Sequence, residues 1–151
     1  MGKRRRSREI ALQILYQMEV NPLDTPEVLE LFWRDFPTSE EVKGFASRIV
    51  EGVHRHREEI DRLIERYSAH WRLERIGQVD KNILRMGIFE LMYCGDIPTK
   101  VALNEAIDLG KKFGSEESGA FINGILDRIN KTERRGNLFI RRGREHDGEG
   151  G

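Results

Sequence analysis

The sequence is nearly without cysteine: Cys94 stands alone among 151 residues, which excludes an internal disulfide and any multi-cysteine zinc site. Histidine offers no substitute, because His54 and His56 are two positions apart and would point to different sides of a helix. His70 and His146 fit no metal-ligand spacing. There is no Gly-rich phosphate loop, no GxSxG and no HExxH, so neither catalysis nor a cofactor is expected. Long apolar runs are missing as well, and none approaches the roughly 20 residues that cross a bilayer. The basic start leads into no uninterrupted apolar stretch with a small-residue cleavage site, which argues against a signal peptide and for the cytoplasm. No stretch alternates like a strand, and no internal repeat is present.

Acids are absent from the first eight residues. The opening MGKRRRSREIALQILYQ places Lys3, Arg4, Arg5, Arg6 and Arg8 in front of a greasy segment, although the whole chain balances 26 bases against 26 acids. From Lys131 onward six bases meet four acids, which leaves 15 bases and 22 acids in residues 9–130. A mildly acidic body thus carries a basic head and a basic-leaning tail. That asymmetry points to a polyanion at one end and a basic partner elsewhere.

Helical periodicity is what the chain has in abundance. Ile10, Ile14 and Met18, with Ala11 and Leu15 beside them, form a first stripe that Asn21-Pro22 stops. Thr25-Pro26-Glu27 predicts a restart with a capping hydroxyl, and Val28, Leu29, Leu31, Phe32 and Phe36 its buried side. Thr38-Ser39-Glu40-Glu41 caps a third helix along Val42, Phe45, Ile49 and Val53. The polar run from His54 to Glu59 marks a break before a fourth segment through Ile60, Leu63, Ile64 and Tyr67. IGQVDKNILRMGIFELMYC is apolar nearly all round, as a central helix is. A sixth helix follows Asp96-Ile97-Pro98 with Val101, Ala102 and Ala106, and Ser115-Glu116-Glu117 caps a seventh along Phe121, Ile122, Ile125, Leu126 and Ile129. The expected class is all-α, with about seven helices in residues 1–131. Residues 132–151, charged and Gly-rich with only Leu138-Phe139-Ile140 to pack, read as a mobile tail.

Arg85, Glu90, Asn104, Glu105 and Asn123 interrupt otherwise apolar helices. Pairs that satisfy one another in the core, such as Arg85 with Glu105, explain them better than a site does, and only Asn123 stays evenly open. Cys94 reads as a small core residue at a helix end. The basic head is different. A charge run is ordinarily a solvated arm, but this one is rich in Arg, whose planar donors match phosphate, and it feeds straight into an ordered helix. Gln13 and Tyr16 follow about one and two turns on. Phosphate-gripping charge beside an amide and an aromatic is the chemistry of single-stranded RNA recognition.

The stretches RRRSREIALQILYQ, WRLERIGQVDKNILRMGIFEL, DIPTKVALNEAIDLGKKFG and SGAFINGILDRI closely resemble, in this order over residues 3 to 131, the NusB family of bacterial transcription antitermination factors. The resemblance implies two small helical bundles packed across each other, which suits the helical segments and a break near Pro37. It implies a non-enzymatic role: pairing with the small-subunit ribosomal protein NusE, holding the boxA element of ribosomal RNA leaders, and joining an antitermination complex on RNA polymerase. Carried onto this sequence, the RNA contacts fall on Lys3, Arg4, Arg5, Arg6 and Arg8, on Tyr16 with Gln13 near it, and on Phe121 and Asn123 of FINGILD. Asp80 of GQVDKNILR falls on the NusE surface. Some members of the family form homodimers that cover the RNA face and others stay monomeric, and the resemblance leaves both open. A NusB-like domain also occurs fused to ribosomal RNA cytosine methyltransferases, against which the length and the missing Gly-rich cofactor loop both argue. The tail has no counterpart in the resemblance, and its Arg141, Arg142 and Arg144 add RNA affinity or nothing.

Overall fold

The computed structural model describes residues 2–20, 25–69 and 72–134. Asn21-Pro22, His70, His146 and everything from residue 135 onward, with the Leu138–Ile140 patch and the tail arginines, lie outside the described residues. Among the described residues there are seven α-helices and no strand. The chain divides into two units between Arg57 and Glu58, not near Pro37. Pro37 lies only in the link between two helices of one unit; the division falls at the polar break around His56.

The first unit holds α1 (Lys3–Val20), α2 (Thr25–Asp35) and α3 (Glu40–Arg55). α3 starts as its sequence predicts, with the Ser39 hydroxyl accepting the Val42 N–H at 3.3 Å. α1 packs chiefly on α3, around a core in which Ile14, Ala46, Ile49 and Val50 are fully buried. Two expectations for α2 fail. The Thr25 hydroxyl does not cap; it is buried and finds no hydrogen-bond partner among the described residues. Leu31 and Phe36 stand exposed, because one narrow face of α2, made by Val28, Leu29 and Phe32, is enough to meet its neighbours.

The second unit holds α4 (Arg57–Tyr67) from its second residue onward, a 3-10 turn at Leu73–Arg75, α5 (Gln78–Tyr93), α6 (Thr99–Phe113) and α7 (Ser118–Ile129). α5 is buried at every position from Lys81 to Met92, as its all-round apolarity predicts. At Gly87 it approaches α7 so closely that an added Cβ would come within 2.7 Å of Leu126. Cys94 closes α5, its N–H donating to the Glu90 carbonyl, with 1% of its surface exposed. α7 is capped differently from the prediction: Glu117 makes no side-chain cap, and the Ser118 hydroxyl accepts the Ser115 N–H at 2.8 Å. Val101 on α6 is exposed.

The helical path runs on past Lys131, where the sequence pattern dissolves, through a π-helical turn at Asn130–Arg134. Glu133 ties that turn to α4. Its Oε2 accepts Tyr67 Oη–H at 2.5 Å and Arg66 Nη1–H at 2.8 Å, while Arg128 donates to the Tyr67 carbonyl. The bond to Glu133, and then burial, push the Tyr67 phenol above its ordinary value of 10.0. Folding therefore favours the neutral phenol; that contribution is complete below the ordinary tyrosine pKa and is lost as pH rises through the raised folded value. Ultraviolet titration should show abnormally alkaline phenolate formation to which Tyr67 contributes, so that Tyr67→Phe diminishes that step. If the parent chain shows no such step, the Glu133 tie is not formed in solution.

Candidate nucleic-acid interface

α1 opens with Lys3, Arg4, Arg5, Arg6 and Arg8 and has no acid in its first turn. Cations at the positive end of a helix dipole are unfavourable by about 0.3–1 kcal/mol each. An anion laid across that end relieves the repulsion.

Helical rotation of about 100° per residue sorts these bases into two groups. Arg5, Arg6, Gln13 and Tyr16 fall on one side of α1. There Arg6 and Gln13 are exposed, Tyr16 is 44% exposed and Arg5 is half-buried. Arg4 and Arg8 lie one turn apart on the other side, continuing the buried row of Ala11 and Leu15. Both turn onto Phe45 of α3, with their guanidinium carbons 4.0 Å and 5.2 Å from its ring centre. Lys3 sits between the groups, its Nζ donating to Glu41 at 2.8 Å. That hydrogen bond, and then the ammonium charge, hold the Glu41 carboxyl below its usual range.

Arg8 differs from the other bases of the head in being buried. At 3% exposure it cannot present its charge to a ligand lying on the surface, and its place is inside the α1–α3 contact. Beside it Ser7 is fully buried, its hydroxyl within bonding distance of the Lys3 and Val42 carbonyls at 2.9 Å and 3.0 Å.

In the second unit, Phe121 and Asn123 occupy the first turns of α7. Two positions apart, they point in different directions: Phe121 is half-buried and Asn123 exposed. Asp80 stands half-buried in the first turn of α5, where a carboxylate suits the helix dipole. Arg85 is structural, as expected, and it holds Asp61 of α4 through a two-pronged hydrogen bond. Of the other interrupting polar residues, Glu90 is buried, Glu105 half-buried and Asn104 exposed. No group of three or more histidines, cysteines or carboxylates among the described residues is arranged to hold a metal ion. Nor is any described helix long and apolar enough to cross a membrane.

The model of the NusB family matches residues 5–131. The chain belongs to the NusB family. A transcription antitermination protein NusB from Myxococcus xanthus is 54% identical over 133 residues, covering 85% of this chain and 95% of that protein. Among solved structures, T. maritima NusB superposes with a TM-score of 0.79 at 38% identity, over 88% of this chain and 96% of that one. A chain from a crystal structure of antitermination factors NusB and NusE in complex with dsRNA gives 0.77 at 30% identity, over 87% and 98%. The all-α fold is therefore the NusB fold. Against that background, Phe45, Arg48, Glu41 and Ser7 are the residues of the head that sequence reading overlooked. The available signal was the spacing of Arg4 and Arg8, which sets them on the row that α1 buries.

Proposed function

We propose that this chain is an antitermination factor that binds boxA-type single-stranded RNA of ribosomal RNA leaders together with NusE. In that role it supports processive ribosomal RNA transcription within the RNA polymerase antitermination complex. The observation that carries the reading is the row at the cationic end of α1 formed by half-buried Arg5 and exposed Arg6, Gln13 and Tyr16. Its arginines supply planar donors to phosphates, Gln13 an amide for base edges, and Tyr16 a ring on which a base stacks. Lys3 and Arg4 add charge at its margin, and Phe121 and Asn123 are assigned to the same RNA from α7. Asp80 is assigned to NusE, where an acid suits a basic ribosomal protein. The protein works by binding, without catalysis or cofactor, in the cytoplasm, and residues 1–131 carry the role.

Fluorescence anisotropy with boxA and scrambled RNAs, single- and double-stranded, with and without NusE and at two salt concentrations, tests this. Tighter, boxA-selective binding in the presence of NusE is expected. Equal binding to all RNAs, untouched by NusE, would leave only a basic-headed helical scaffold. Asp80→Lys should weaken NusE pairing by about tenfold or more, since like charges in an interface repel, while the RNA affinity of the isolated chain holds. Unchanged NusE affinity would remove Asp80 from the partner surface.

A further inference from the structure

Between α1 and α3 the first unit encloses an open cavity of about 270 Å³ whose lining includes Lys3, Arg4, Glu41, Gly44, Phe45 and Arg48. Three guanidinium groups crowd one ring there: the carbons of Arg4, Arg8 and Arg48 lie 4.0, 5.2 and 5.9 Å from the centre of Phe45. Lys3, Arg4 and Arg48 line the cavity against a single carboxylate, Glu41, which Lys3 engages. Gly44 adds an independent sign. It lies inside α3 and is exposed, and a Cβ built on it would meet nothing within 4 Å. A glycine within a helix weakens it, and here packing does not demand one. Gly44 thus leaves open space at the lining of the cavity.

We propose that this cavity seats a backbone phosphate of the bound RNA between Arg4 and Arg48. Phe45 is the wall that holds the two guanidiniums in place. Stacking engages the face of a guanidinium and leaves its N–H donors in the plane, where a phosphate oxygen meets them. The seat rests on the reading that the chain binds RNA. It places a contact on the side of α1 opposite Arg5, Arg6, Gln13 and Tyr16, so that the strand crosses the amino end of the helix instead of following one flank. It also assigns a ligand role to α3, through Arg48.

Two variants test it. Arg48→Gln should reduce single-stranded RNA affinity roughly fivefold at 0.1 M salt and flatten the log–log salt dependence by about 0.7, as loss of one phosphate contact does. Gly44→Glu puts a carboxylate into the cavity from a position with room for it, and should weaken RNA binding more than Gly44→Gln does. Circular dichroism melting confirms that each variant folds, and Gly44→Glu decides the matter if Arg48→Gln does not. Backbone NMR shifts at Gly44 and Arg48 separate the sources of phosphate: movement with RNA supports the seat, whereas movement with inorganic phosphate alone overturns it. If the parent chain binds RNA with a steep salt dependence but both variants match it, the seat is wrong and the RNA function stands. If the parent chain does not bind RNA, both fall.

Discussion

Asp61→Ala should lower the unfolding free energy of the second unit by about 3–5 kcal/mol. Arg85 is only 2% exposed, and it reaches Asp61 through Nε at 2.8 Å and Nη2 at 3.1 Å. Its Nη1 goes to the Asn82 side-chain oxygen at 3.1 Å, and Asn82 in turn donates to the Gln78 carbonyl. A guanidinium does not shed its proton, so removing Asp61 strips a buried cation of its two-pronged counter-charge. The reverse change is milder. Arg85→Met leaves an aspartate whose side chain is 19% exposed and can turn to water, and it fills the space with an apolar chain of similar reach. Urea unfolding of the two variants should therefore give very different midpoints. A loss below about 1 kcal/mol for Asp61→Ala, the scale of a surface pair, would show that the buried pair does not form.

Arg5→Ala combined with Arg6→Ala should weaken binding to single-stranded RNA about 25-fold at 0.1 M salt, with the salt slope reduced by about 1.4. Arg6 is exposed and Arg5 half-buried, and helical rotation sets both on the side of α1 away from Arg4 and Arg8, which lie over Phe45. Thermal stability should hold or rise slightly, because two cations leave the positive end of a helix dipole. A large fall in melting temperature would make those arginines structural. Arg8→Ala should behave in the opposite way, losing stability through the stacking on Phe45 while the salt slope scarcely moves.

Much of this was legible in the sequence because it is local. Ser39 before two glutamates announces the start of α3, and the unbroken apolar girth of α5 announces its central place. What was not legible is long-range. That Arg85 grips Asp61 depends on how α4 lies against α5, and no periodicity encodes that contact. Leu31 and Phe36 look like core on a list of apolar residues, yet α2 meets its neighbours along one narrow face. The basic head was legible as charge but not as two groups. Arg4 and Arg8 reveal their role only when their row is followed to Phe45, some forty residues away in the chain.

The lone Cys94 also makes the chain its own gauge of breathing motions. With its side chain sealed at the end of α5, an alkylating reagent reaches the sulfur only when that part of the second unit opens. Because the sequence holds no other thiol, each modified molecule records one such event. Mass spectrometry of a timed reaction therefore reads how often the helix end exposes itself, with no label designed into the protein.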